Sequence, residues 1–145
     1  MRTLGRFLRL AARDRRLVRG AVLAVAATRL GLWLLPFTAV RRLIPTLARP
    51  AASERRVAPA PVARIAWAVA TAGRRVPGGA NCLVQAIAAH VLLAREGYRS
   101  RLHIGVARDT AGGLAAHAWL ERHGALVLGG PVAARFTPLA LFGDD

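Results

Sequence analysis

The spacing of hydrophobic positions changes once along the chain, just after Gly97. Before that point, residues 4–35, 40–47 and 62–72 are rich in Ala, Leu, Val and Ile, with apolar positions that fit one face of a helix. After it, Leu102, Ile104 and Val106 alternate with less hydrophobic positions, the period of a half-buried strand. The pattern predicts helices first and strands second.

The best-defined helix lies directly before this change. Leu83, Ile87 and Val91 recur at helical spacing, Asn81 suits the N-cap, and Gly97 suits the position just past the helix end. The single cysteine of the chain, Cys82, is therefore predicted in the first turn of this helix.

At least three strands are predicted in the C-terminal part. Residues 109–113 form a turn after the first strand, and residues 115–121 and 125–128 form two more strands joined at His123-Gly124. Short connections of this kind favour antiparallel neighbours, so the predicted fold class is α+β. The 145 residues suffice for one compact domain.

The charge is strongly positive and unevenly distributed. The formal net charge is +15, and every one of the 22 basic residues is arginine, whose charge is permanent near neutral pH. Residues 1–60 hold 13 Arg against Asp14 and Glu54, a net +11, whereas residues 61–145 hold 9 Arg against 5 acidic residues, a net +4. Such a field attracts nucleic acid, anionic lipid or an acidic protein partner without choosing among them.

The chain is predicted to be cytoplasmic. One cysteine excludes an intramolecular disulfide and leaves no zinc pattern. The apolar run at residues 21–27 is short for a membrane span, and Arg29 would lie near the middle of any longer one, where a charge is costly. We therefore expect a helix that packs against the rest of the protein.

Two residues are candidates for nucleophilic catalysis. Cys82 at a helix N-terminus would meet the positive end of the helix dipole, which stabilises the reactive thiolate. His117, on a predicted strand, is a candidate base, and it would have to lie about 3 Å from the thiol. A free cysteine is also among the most frequently buried residue types, so its position alone leaves a structural role open.

Several short motifs in a fixed order resemble one family. They are Asn81-Cys82-Leu83, Leu92-Leu93, Gly97-Tyr98, Leu102-His103-Ile104-Gly105-Val106 and Ala116-His117-Ala118-Trp119-Leu120-Glu121. Together they resemble the transglutaminase-like leader peptidase of lasso-peptide biosynthesis, in its stand-alone form without a leader-recognition domain. The resemblance implies a basic helical region, residues 1–75, packed on a transglutaminase/papain-like cysteine protease core, residues 76–145.

The same resemblance implies function, site and partners. The enzyme would remove the leader from a lasso precursor, with Cys82 as nucleophile, His117 as base and Trp119 packed over the site as a possible substrate contact. No cofactor and no metal are implied. The expected partners are the precursor peptide, a separate leader-recognition protein and an ATP-dependent, asparagine-synthetase-like lasso cyclase, with no nucleic acid.

One position departs from the family pattern. An aspartate that orients the histidine is expected about where Gly129 stands. Glu121 is four residues from His117, about 13 Å along a strand, too far for a hydrogen bond. Asp109, Asp144 and Asp145 remain alternatives, as does a Cys-His dyad whose imidazole is held by a backbone carbonyl or water. For the oxyanion donor, the backbone N–H of Cys82 is the candidate.

Two other functions stay open from the sequence. An acyl-transferring, transglutaminase-like enzyme would use the same Cys82 and His117. A basic module that binds nucleic acid or a membrane through its arginines would need no catalytic thiol.

Overall fold

The protein is an α+β structure, as predicted. A computed structural model describes residues 12–49, 60–76 and 81–143. Within these ranges, four α-helices precede a four-stranded antiparallel sheet. The helices are α1 (Ala12–Leu34), α2 (Phe37–Leu47), α3 (Val62–Arg75) and α4 (Cys82–Arg95).

The helices meet at positions occupied by small side chains. Ala68 and Ala72 of α3 and Ala86 and Ala89 of α4 have no exposed surface. Gly73 of α3 lies against the Gln85 side chain of α4, so closely that a Cβ would be 3.0 Å from it. Small residues let two backbones approach, and larger neighbours from all four helices then fill the core. These include Val18, Val25, Ile44, Ile65, Val69, Ile87 and Leu93.

Helix α4 begins and ends as its sequence predicts. The Asn81 side chain accepts a hydrogen bond from the Val84 backbone N–H at 2.9 Å, which satisfies one of the donors left free at a helix start. At the other end, Gly97 has φ +85°, and the N–H groups of Gly97 and Tyr98 donate to the carbonyls of Ala94 and Leu93. This is a Schellman ending, which fixes where the chain leaves the helix.

Three consecutive strands form an antiparallel meander, and a fourth strand pairs with the first of them. Its strands are β1 (Arg101–Arg108), β2 (Leu114–Arg122), β3 (Ala125–Leu128) and β4 (Thr137–Phe142), in the order β3-β2-β1-β4. The three predicted strands are β1, β2 and β3. His123 and Gly124 both have positive φ, as a tight hairpin turn requires, and they join β2 to β3.

No sequence signal placed the fourth strand, which contains Pro138. Proline cannot donate to a strand ladder, so it argues against an interior strand. β4 is an edge strand, and its register on β1 shifts between Ile104 and Gly105, beside Pro138. An irregular edge tolerates the missing donor. A 3₁₀ helix, Pro131–Arg135, connects β3 to β4.

The N-terminal helices belong to the same core as the sheet. α1 packs against α3 and α4, and α4 packs against β2 and β1. α1 is also long and apolar enough to cross a membrane, and 17% of its most apolar stretch is buried. The core helix of a soluble protein and a signal sequence both pass the same test of length and composition, but a core helix is mostly buried. The predicted division at residue 75 remains a prediction, and predictions for residues 1–11, 50–59, 77–80, 144 and 145 lie outside the described residues.

A buried histidine makes stability depend on pH. His90 of α4 lies 2.9 Å from the Ser100 hydroxyl through Nδ1, and burial lowers the pKa of His90 below its ordinary 6.5. The unfolded chain therefore binds this proton at a higher pH than the folded protein does. We expect the free energy of unfolding to be undiminished above about pH 6.5 and to fall as the pH drops below it, by at most about 1.4 kcal/mol per pH unit.

Urea unfolding between pH 5 and 8 measures this effect. His90→Gln keeps a polar group near Ser100 but does not titrate, so the difference between the two proteins isolates His90 from the other histidines. Parallel pH profiles for wild type and His90→Gln would contradict the assignment.

Candidate active site

Cys82 is the first residue of α4. Its side chain is partly buried and packs against the hydrophobic core. The Asn81 cap holds this turn, and the backbone N–H groups at the helix start carry the positive end of the dipole. The predicted position of the cysteine is therefore confirmed: it is the first residue of a helix capped by Asn81.

His117 lies on β2, the strand that α4 contacts most. Side chains alternate along β2, so Ala118 and Leu120 enter the core that the helices share, while His117 and Trp119 lie on the other face. The imidazole is half-buried, and its Nε2 is 2.7 Å from the backbone carbonyl oxygen of Gly129. Its ring also contacts Phe136, with the centroids 5.0 Å apart.

Trp119 connects His117 to two further residues. Its ring lies 6.2 Å from that of His117 and is stacked on His103, its cross-strand partner, at 5.1 Å with the planes only 3° apart. Its indole N–H donates to Glu121 at 3.0 Å, and the other Glu121 oxygen is 3.1 Å from His103 Nε2. Trp119 packs beside His117, and only 3% of its surface is exposed. Its contact with a substrate stays a prediction.

The acidic residues considered for His117 have other positions or partners. Asp109 closes the β1–β2 turn by accepting the backbone N–H groups of Ala111 and Gly113. Glu121 is held by Trp119 and lies beside His103, in agreement with the distance expected along the strand. Asp144 and Asp145 lie outside the described residues. His103 lies within the Leu102–Val106 motif without an expected role in the site, and no motif marks Phe136.

Helix α4 contacts β2, but Cys82 packs on the core side of the sheet and His117 lies on the opposite face. Among the described residues, no hydrogen bond joins Cys82 to His117. In the same part of the chain, no group of three His, Cys, Asp or Glu residues could hold a metal ion. Covalent chemistry by a thiolate with this imidazole as base requires a rearrangement that brings the two side chains together.

The fold and the site thus define an α+β protein with a cysteine at a helix start and a histidine on an adjoining antiparallel sheet. A family model described as "Transglutaminase-like superfamily" matches residues 21–141, which is most of the chain. The chain therefore belongs to the transglutaminase-like superfamily. Neither a search of curated proteins nor a search of solved structures gave a match.

Proposed function

We propose that this chain is a cytoplasmic cysteine protease that cleaves the leader peptide from a lasso-peptide precursor. The observation that carries the proposal is Cys82 at the capped start of α4 within a transglutaminase-like domain, with α4 in contact with β2, the strand that bears His117. Members of this superfamily are generally cysteine peptidases or acyltransferases. The narrower assignment rests on the ordered motifs between Asn81 and Glu121.

The reaction proceeds by covalent catalysis. His117 takes the thiol proton, and the Cys82 sulfur attacks the carbonyl carbon at the leader–core junction. The tetrahedral oxyanion is stabilised by the Cys82 backbone N–H at the helix start. As the C–N bond breaks, His117 donates its proton to the leaving amine of the core peptide. Water then attacks the thioester, and the leader leaves with a free carboxylate.

Product analysis tests the proposal and separates it from acyl transfer. Purified protein is incubated with synthetic precursor and the leader-recognition protein, with and without an added primary amine, and the products are identified by mass spectrometry. Hydrolysis gives the leader as a free acid and the core with a free amino terminus. A leader–amine adduct formed in preference to the acid would identify an acyltransferase, and an intact precursor would contradict both functions.

The arginine-rich helices support binding of an acidic partner, which we propose to be the leader-recognition protein or its complex with precursor. Exposed arginines lie on α1 and α2, among them Arg16, Arg19, Arg41 and Arg42. We expect pull-down of this partner to weaken as salt rises, because exposed charges are screened beyond about 8 Å at physiological ionic strength.

A charge-matched pair of variants locates the interface. Arg41→Gln/Arg42→Gln should reduce retention of the partner and its salt dependence, whereas Arg99→Gln/Arg108→Gln removes the same charge from exposed positions outside these helices and should have a smaller effect. Association that does not depend on salt would instead indicate an apolar interface. The groove between α1, α2 and α4, with a volume of about 540 Å³, is the apolar surface on this side of the protein.

A further inference from the structure

The contact between His117 and Gly129 fixes which imidazole nitrogen carries a proton. Nε2 is 2.7 Å from the Gly129 carbonyl oxygen. A carbonyl oxygen only accepts hydrogen bonds, so the neutral ring must donate from Nε2–H. Nδ1 is then the nitrogen with the free electron pair, and it is the atom that can take a proton from a thiol.

Glycine is the residue that the backbone requires at this position. Gly129 has φ +121°, a conformation that L-residues rarely adopt. A Cβ here would also collide with the Cβ of Trp119 and would lie 2.9 Å from its Cα and 3.3 Å from the Ala118 carbonyl oxygen. An aspartate therefore cannot be placed at residue 129 without displacing either Trp119 or the carbonyl that His117 contacts.

We propose that the main-chain carbonyl of Gly129 replaces the missing carboxylate as the group that orients His117. This inference rests on the proposed function, and Gly129 is a positioning residue within it. The rings of Trp119 and Phe136 both lie near the imidazole, and the hydrogen bond is partly buried. A neutral carbonyl holds the tautomer as a carboxylate does, but it stabilises the imidazolium less because it carries no full charge.

The tautomer can be measured without any activity. In ¹⁵N-histidine-labelled protein at a pH where the ring is neutral, we expect His117, assigned by comparison with His117→Asn, to show a protonated Nε2 and an unprotonated Nδ1. An Nδ1–H tautomer, or an averaged mixture of both, would overturn the proposal. If wild type shows the Nε2–H tautomer but cleaves nothing, the protease function fails while the positioning contact stands.

Two neighbouring glycines provide a matched pair of variants. Gly129 and Gly130 both have positive φ, but a Cβ at Gly130 would meet nothing within 4 Å. We expect Gly129→Ala to mix the His117 tautomers and to lower kcat by about 10²-fold, with KM little changed, since the base loses its orientation. Gly130→Ala should retain the tautomer and a kcat within a few-fold of wild type. Unchanged tautomer and kcat in Gly129→Ala would overturn the proposal, and if this variant does not fold, the wild-type tautomer decides.

Discussion

Replacing Cys82 by alanine should abolish leader cleavage while the protein remains folded. Without the sulfur no thioester can form, and loss of a nucleophile lowers turnover by about 10⁴-fold or more. The exchange removes one atom from a partly buried side chain, so helix α4 and its Asn81 cap should persist. To test this expectation, cleavage of the precursor by wild type and by Cys82→Ala is measured by mass spectrometry. Matching circular dichroism spectra of the two proteins show that both are folded.

The single cysteine gives this test an independent control. Since Cys82 is the only thiol in the chain, alkylation with iodoacetamide modifies one position. Alkylation should inactivate the wild type, whereas the same treatment of Cys82→Ala should change nothing. Cleavage by Cys82→Ala or by the alkylated protein within a few-fold of wild type would return Cys82 to a structural role.

Much of the scaffold could be predicted because local signals and tertiary packing agree there. For α4, the cap at Asn81, the apolar spacing and the stop at Gly97 all indicate the same boundaries, and the structure has them. The alternation in β1 and the His123-Gly124 turn predict the antiparallel pairing in the same way. These features depend on residues that are close in sequence, so a single chain shows them.

The environment of His117 could be predicted only in part, because it depends on backbone and on distant residues. Gly129 stands where the family resemblance implies a carboxylate, and a backbone carbonyl can substitute for it, but a carbonyl oxygen is present at every residue. Which carbonyl lies next to His117 depends on the path of the chain after β3, where Gly129 has a positive φ. Phe136 reaches His117 through the 3₁₀ helix that follows, and no periodicity predicts that contact.

Replacing His117 by asparagine should lower kcat by about 10²- to 10⁴-fold, because proton transfer by a placed side chain contributes on this scale. A thiol without a base stays mostly protonated at neutral pH, and the leaving amine would lose its proton donor.

His123→Asn is the matched control: His123 is exposed in the β2–β3 turn with φ +50°, a conformation that asparagine tolerates well. We expect His123→Asn to cleave at nearly the wild-type rate. Steady-state kinetics of the three proteins at neutral pH provides the measurement. Equal rates for His117→Asn and wild type would exclude His117 as the base and leave His103, which is stacked on the same tryptophan, as the next candidate.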